Sequence, residues 1–350
     1  MSRCKLKPVT CGNVMPDNRR VTVRDIAAET GVSIATVSRV LNDHANVAPR
    51  TRDLVLQAVE RSRMRVTGAD RQRTVHVRCP YVLTDYFGLI VSSIAETLKR
   101  HGLRLLLDAG ESAQHADTLA GLPDEPGISA AILILPPEDG DQLVALSRTD
   151  LPFVVVDPRT PPPPDVAAVS AAHFAGARAL TGHLVGLGHR DIGVIAGPED
   201  WLASDARLAG HRAALSQAGV LPMAHHLWHV EPTTEAGRRT AAELLDHPER
   251  PTAIVCFNDK LAVGTLQAAR ERGLRIPADL SIAGFDDIDI SRATDPPLTT
   301  VRQPLQEMGR IAVTQLMRML DGHQPEALHI ELATTLVIRQ STGPALVTRP

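Results

Sequence analysis

Hydrophobic and polar positions fall into two regimes along the chain. Near the N-terminus they predict three short helices. Thr22-Val23-Arg24-Asp25 reads as a capping box, and a first helix runs from it to about Thr30. Gly31 supplies the left-handed conformation that a sharp turn needs, and Ser33 caps a second helix, Ile34 to about Asn42. Pro49 suits the first position of a third helix, with Leu54, Val55, Ala58 and Val59 as its apolar side. Ala27, Gly31 and Val37 have the offsets of a helix-turn-helix: a small residue for close approach, a turn glycine and an apolar residue that packs the second helix onto the first.

From Thr74 onward the pattern changes to strand-length segments separated by longer helical ones. Strands are predicted at Thr74–Arg78, Leu103–Leu107, Ala130–Leu135, Phe153–Asp157, Ile192–Ala196, Ala253–Phe257 and Leu280–Gly284. Helices are predicted at Phe87–Arg100, Ala171–Leu187, Arg207–Ala218, Thr233–Leu245, Asp259–Arg272 and Leu305–Leu320. Such alternation specifies an α/β body of parallel sheet with helices on both faces, and the number of strands suits two sheets better than one. Pro161–Pro164 reads as a stiff surface loop.

Charge sharpens the division. Residues 1–73 hold 14 Lys/Arg against 7 Asp/Glu, a net +7, while the remainder holds 23 against 33, a net −10. A basic head on an acidic body predicts a polyanionic partner for the head alone. No stretch approaches the roughly 18–20 apolar residues of a membrane helix. The basic start, Met1 to Lys7, has no apolar run behind it, which predicts a cytoplasmic protein; Met15 is a second plausible start. Cys4, Cys11, Cys79 and Cys256 form no CxxC pair, so reduced thiols are expected, and no metal or cofactor is expected because no histidines cluster at ligand spacing.

Within this frame Val21–Asn42, VTVRDIAAETGVSIATVSRVLN, resembles the head of the lactose-repressor (LacI/GalR) family, most specifically in Thr36-Val37-Ser38-Arg39-Val40-Leu41-Asn42. The resemblance continues in order through Gly197-Pro198, Arg207-Leu208-Ala209-Gly210, Phe257-Asn258-Asp259, Gly284-Phe285-Asp286-Asp287 and Pro296 to Val301. It implies a tail (1–20), a helix-turn-helix domain (21–63), a hinge (64–73) and a two-lobed, periplasmic-binding-protein-like body (74–345) crossed three times by the chain. One lobe would comprise about 74–168 and 302–325, the other about 169–298 and 326–345.

The resemblance implies that the second helix enters the DNA major groove. Ile34, Ala35 and Arg39 would then face base edges, and Thr22, Ser33, Thr36, Ser38 and Asn42 would contact phosphates. The chemistry agrees: Arg can donate two hydrogen bonds to guanine, Ile and Ala can contact a thymine methyl, and hydroxyls and amides suit phosphate oxygens. The hinge departs from the family. Met64, Val66 and Thr67 stand where it has tyrosine, proline and asparagine, and Arg73 replaces a leucine wedge. Gly68 weakens a helix there by about 0.5–1 kcal/mol relative to Ala. Arg73 can lie in a narrow minor groove but cannot wedge bases apart. Two readings follow, a hinge that bends DNA less than its relatives do and a plain flexible linker.

In the body the resemblance implies a ligand cleft at the carboxyl ends of the strands, lined by Asp157, Arg207, Asn258 and Asp286, with Tyr86 and Phe87 as an aromatic pair. Phe87 reads equally as helix-packing core, and Asp287 as the cap of its own turn. Charged and amide groups bind vicinal hydroxyls, and flat rings cover an apolar sugar face. The run from Cys79 to Asp85 departs from the family's Asn-Pro before the aromatic pair, which leaves the ligand's identity open. The expected function is a repressor whose operator binding a small molecule controls, most simply a sugar, acting as a homodimer. The alternatives are a purine or sugar-phosphate sensor, or a cytoplasmic sugar-binding or sugar-processing protein. The sequence lacks a P-loop, a GxSxG elbow and a GxGxxG after the first strand, and its 14 histidines are scattered, so an enzyme is not expected. His173, His183 and His189 lie near one helix, where solvated or capping roles are expected.

Overall fold

The computed structural model describes residues 23–41, 47–48, 50–58, 73–110, 113, 117–221 and 224–345. The chain divides into two compact units, Met1–Gln72 and Arg73–Pro350.

In the first unit α1 is Val23–Thr30, α2 is Ile34–Leu41 and α3 covers 50–58. Ile26, Val37, Val40, Val55 and Ala58 form its core. Gly31 takes φ +69°, and its N–H donates to the Ala27 carbonyl at 3.0 Å, closing α1. Two residues later the Ser33 hydroxyl accepts the Thr36 N–H at 3.2 Å, so the chain is recapped almost at once. The expected helix-turn-helix geometry is therefore present. The apolar side expected of the third helix is narrower than the sequence suggests. Val55 and Ala58 are buried, but Leu54 faces solvent, because residues one apart in a helix point about 100° from each other. Thr22, Asn42, Pro49, Val59 and the hinge 64–72 lie outside the described residues, as do the tail, Cys4 and Cys11.

The second unit holds two parallel sheets. The first has strand order β11-β5-β4-β3-β1-β2, with β1 Thr74–Cys79, β2 Arg104–Ala109, β3 Ile128–Ile134, β4 Phe153–Val156, β5 Ala168–Ala171 and β11 His329–Leu332. β4 is a continuous apolar run because both faces are covered, whereas β1 alternates its valines with the buried polar residues His76 and Arg78. In β3, Ala130, Ile132 and Ile134 pack toward α4 (Asp85–Arg100) and α12 (Leu305–Leu320). The alternate residues Ala131 and Leu133 pack under α5 (Asp117–Gly121) and α6 (Gly140–Ser147). This is the period of two that a doubly covered strand imposes.

The second sheet repeats the design in the order β7-β6-β8-β9, with β6 Ile192–Ala196, β7 Leu227–His229, β8 Ala253–Cys256 and β9 Ser281–Ala283. One face packs on α7 (His173–Gly186) and α8 (Leu202–Gln217), the other on α9 (Thr234–Asp246) and α10 (Asp259–Glu271). Both helix pairs approach closely at glycine. A Cβ on Gly210 would lie 2.4 Å from the Phe174 carbonyl oxygen, and one on Gly264 would lie 2.0 Å from that of Thr234. A short α11 (Ile290–Ala293) follows β9.

The chain passes between the lobes through the β4–α7 region and an antiparallel pair, β10 (Thr300–Arg302) with β12 (Thr335–Val337). Because β5 and β11 hydrogen-bond to each other in the first sheet, residues 169–171 and 326–332 lie with the first lobe, not the second as expected. These strands are short and half-polar, so their sequences give little strand signal.

Candidate functional site

Open parallel sheets leave a crevice where the strand order reverses, outside the carboxyl ends of the strands. In the first sheet the reversal lies between β1 and β3, in the second between β6 and β8. Residues following these strands line one cavity of about 280 Å³: Tyr81 after β1, Leu135 after β3, Trp201 after β6 and Phe257 after β8. Leu135, Asp157 and Asp286, each just past a strand, hold positive φ values of 46°, 53° and 117°. Such backbone is unfavourable for residues with a side chain and tends to mark binding sites.

All six residues expected in the cleft line this cavity: Tyr86, Phe87, Asp157, Arg207, Asn258 and Asp286. A chain of hydrogen bonds joins most of them. The Tyr86 hydroxyl donates to Asp157 Oδ2 at 2.7 Å, and His173 Nε2 donates to Asp157 Oδ1 at 3.0 Å. Arg207 donates to His173 Nδ1 at 3.3 Å and to the Phe257 carbonyl, and lies 3.8 Å from Asp286 Oδ1. Gln303 donates to the same Asp286 oxygen at 2.6 Å. The Arg207 guanidinium is sandwiched between two rings, 4.2 Å from the Phe257 centroid and 3.9 Å from that of Phe285.

The electrostatics follow from burial and partners. Burial pushes Asp157 up, but the hydrogen bonds of His173 and Tyr86 outweigh it and hold the carboxyl below its ordinary range. Burial, then Arg207, pushes His173 down, so the ring is neutral with its proton on Nε2. Burial raises Asp286 to about 7 despite Arg207. His173 is thus buried and fully bonded, which corrects the solvated role expected for it. His189 is buried too, bonded to Thr252, Ser281 and the Gly343 carbonyl, while His183 is half-buried against Thr342.

Arg207 is 4% exposed, and its Nε–H has no partner. An orphaned buried donor costs roughly 1–3 kcal/mol, so a ligand that accepts from it relieves a standing penalty. Asn258 caps α10, its Oδ1 accepting the Leu261 N–H at 2.9 Å, with Nδ2 3.5 Å from the Pro232 carbonyl oxygen.

Several lining residues carry no strong sequence signal. Tyr81 stacks on Phe87 with centroids 4.9 Å apart and planes within 5°. It belongs to the segment that departs from the family pattern, and the departure adds a ring to the cavity. Trp201 meets both Tyr81 and Phe257 edge-on. Five of the chain's nine Phe, Tyr and Trp residues line this cavity, and in so aromatic-poor a sequence their concentration marks it. Glu231 and Lys260 add one charge of each sign, and Lys260 donates to Thr84 of the other lobe at 3.3 Å. A larger cavity of about 540 Å³ beside α4 and α11 shares only Thr84, Asp286 and Ile288 with the cleft and has no aromatic lining. Asp287 does more than cap its turn: it pairs with Arg302, Arg292 and Arg339, tying β9, β10 and the segment after β12 together.

In the head, Val37 and Val40 face inward, leaving Ile34, Ala35 and Arg39 exposed and Ser38 half-buried on the outer side of α2. Ser33 and Thr36 share a hydroxyl contact of 2.9 Å at its N-terminus. Arg73, assigned above to the minor groove, is exposed at the start of the second unit, its carbonyl accepting the Arg104 N–H at 3.0 Å. No described helix is long and apolar enough to cross a membrane. Cys79 and Cys256 are free thiols that burial raises to about 11 and about 12, which leaves them unreactive.

A two-lobed cleft on one unit and a helix-turn-helix on the other define a class, the ligand-controlled DNA-binding transcriptional regulators. Residues 22–63 match the model of bacterial regulatory proteins of the lacI family, and 181–342 match the periplasmic binding protein-like domain. The HTH-type transcriptional repressor CytR of Escherichia coli K12 is 32% identical over 92% of this chain and 96% of its own. The transcriptional regulator CelR in its cellobiose complex has a TM-score of 0.71 at 29% identity, covering 92% of this chain and all of that one. The lac repressor dimer bound to operator and the anti-inducer ONPF has a TM-score of 0.71 at 27% identity, covering 93% and 100%. The chain belongs to the lacI family of bacterial transcriptional regulators.

Proposed function

We propose that this regulator is a cytoplasmic homodimeric repressor, not an enzyme, whose operator affinity is set by a neutral polyhydroxylated ligand, most simply a sugar, held in the aromatic-lined cleft. The observation that carries the ligand assignment is the unpartnered Arg207 Nε–H beside the ionised Asp157: one donor and one acceptor, fixed by burial, suit adjacent hydroxyls. Tyr81, Phe87 and Trp201 offer faces for an apolar ring surface. A sugar phosphate fits less well, because Asp157, Asp286 and Glu231 would confront its charge. A purine is the second reading, since five rings around the cavity also suit a planar base. The cellobiose complex of the similar CelR supports a carbohydrate.

At the operator, Ile34, Ala35 and Arg39 read bases while Thr22, Ser33, Thr36, Ser38 and Asn42 hold phosphates. Two heads of a dimer would read two half-sites, an arrangement supported by the similar lac repressor dimer on its operator. The hinge sequence, with Arg73 in place of a leucine wedge, supports weak DNA bending; a strong kink in a gel-phasing assay overturns that part.

Thermal unfolding against sugars, glycosides, sugar phosphates and purines tests the ligand class. A ligand at 100 times its Kd adds about 2.7 kcal/mol, a shift of several degrees. A shift from one sugar that Tyr86→Phe reduces and Arg207→Ala abolishes supports the assignment. A shift from purines or phosphates alone overturns the sugar and keeps the regulator.

A further inference from the structure

We propose that His225, His247 and Glu249 form a binding site for a borderline divalent transition-metal ion such as Zn²⁺, on the second lobe and remote from the effector cleft. Their ligand atoms all lie within 4.8 Å of one another, and all three side chains are exposed. His225 sits in the short 3-10 turn that leads into β7, whereas His247 and Glu249 follow α9 in the loop leading to β8. The cluster therefore occupies the amino ends of these strands, and the effector cavity occupies the carboxyl ends of the same sheet. The histidines are far apart in sequence, which is why no ligand spacing is visible there; the parallel β6–β7 and β6–β8 pairings bring them together.

The geometry is close to what a metal needs. His225 Nε2 and Glu249 Oε2 are 3.6 Å apart, against about 3.4 Å between neighbouring ligands of a tetrahedral ion with bonds of about 2.1 Å. The His225 and His247 rings stack with centroids 4.6 Å apart and planes 27° apart, which keeps both imidazoles at the one spot. Two imidazoles and one carboxylate favour zinc, cobalt, nickel or copper over magnesium or calcium, which prefer all-oxygen sites.

A buried support fixes the loop. His226 is 2% exposed, and its Nε2 donates to the Glu249 carbonyl at 2.7 Å. The Glu249 N–H donates to His247 Nδ1 at 3.1 Å, and Trp228 Nε1 donates to the His225 carbonyl at 3.3 Å. Such outer contacts orient metal ligands. Coordination through His247 Nδ1 exchanges one exposed hydrogen bond for a metal bond, while coordination through Nε2 moves the ring proton to Nδ1 and gives up the same bond.

Zinc titration of the full chain, with diethylpyrocarbonate footprinting of the histidines, tests the site. The expected result is saturable binding, weakened at least tenfold by His225→Ala, His247→Ala and Glu249→Gln, with one equivalent of Zn²⁺ protecting His225 and His247 but not the exposed His101 and His323. Mg²⁺ should protect none. The three substituted residues are exposed, so the variants should fold, and unchanged thermal unfolding without metal checks that they do. The site is overturned by the absence of saturable binding, by affinity unchanged in all three variants, or by equal protection of every exposed histidine.

Discussion

Arg207 and His173 meet at 3.3 Å in the wall behind the cleft, the guanidinium donating to Nδ1 and so placing the imidazole proton on the side of Asp157. His173 begins the first helix of the second lobe, Asp157 ends a strand of the first, and Asp286 precedes the crossing strand β10. A ligand that takes the free Arg207 Nε–H acts on groups of both lobes, which is the differential contact that a change in lobe angle requires.

Arg207→Ala should therefore cost both binding and stability. It leaves Asp286 buried without its cation, and breaking a buried pair costs about 3–5 kcal/mol. At pH 8, above the Asp286 value of about 7, urea unfolding should show this loss, and Asp286→Asn in the same chain should restore part of it. Arg207→Lys should not rescue, because an ammonium cannot fill the flat slot between Phe257 and Phe285. Additive losses in the double variant would show that the pair is not coupled.

The pH dependence should combine opposing slopes. Burial raises Asp286 from the ordinary carboxylate range to about 7, so its contribution is full below pH 4 and is lost as pH rises through 7. Burial, then Arg207, lowers His211 to about 3, so its contribution is full above pH 6.5 and is lost as pH falls toward 3. Between about pH 4 and 6.5 the two slopes, each about 1.4 kcal/mol per pH unit, run against each other. Asp286→Asn removes one of them. Its stability relative to the parent should rise steadily from pH 4 to 7, measured by urea midpoints across that range; a constant difference would place the Asp286 value outside the window.

Gly210 and Gly182 make a paired test of helix packing. A methyl on Gly210 meets the Phe174 carbonyl oxygen at 2.4 Å and the Arg178 nitrogen at 2.9 Å, both backbone, so α7 and α8 must separate. Gly210→Ala should destabilise by about 1–3 kcal/mol. Gly182 lies in α7 with nothing within 4 Å of an added Cβ, and Gly182→Ala should stabilise by about 0.5–1 kcal/mol through helix propensity alone. Equal effects would show that the close approach does not constrain the pair.

The cleft was legible in the sequence through the family resemblance, which implied Tyr86, Phe87, Asp157, Arg207, Asn258 and Asp286; for three of these the apolar runs agree, since each stands just past one. Asp157 follows Phe153–Val156, Asn258 follows Ala253–Phe257, and Asp286 follows Ile282–Gly284. Tyr81 and Trp201 were not, since they sit in loops whose course is set by tertiary contact and not by any local period. β5, β7, β10, β11 and β12 escaped because runs of three or four residues, as in Leu-Trp-His or His-Ile-Glu-Leu, carry no periodicity of their own. The buried roles of His173 and His189 likewise depend on partners 16 to 154 residues away.

The recognition helix gives a prediction that separates reading from holding. Arg39 is exposed on α2, and its side chain can donate to both guanine acceptors, whereas Ser33 and Thr36 sit at the helix N-terminus with hydroxyls suited to a phosphate. With an operator first selected from random duplexes, Arg39→Ala should cost about 1–3 kcal/mol, relax the preference at one base pair of each half-site, and leave binding to unrelated DNA nearly unchanged. Thr36→Ala should weaken binding to every sequence alike and leave the preference intact. Fluorescence anisotropy at several salt concentrations distinguishes the two. If Arg39→Ala instead weakens all sequences equally and lowers the salt slope by about one ion, the residue holds a phosphate, and base reading on α2 falls to Ile34 and Ala35 alone.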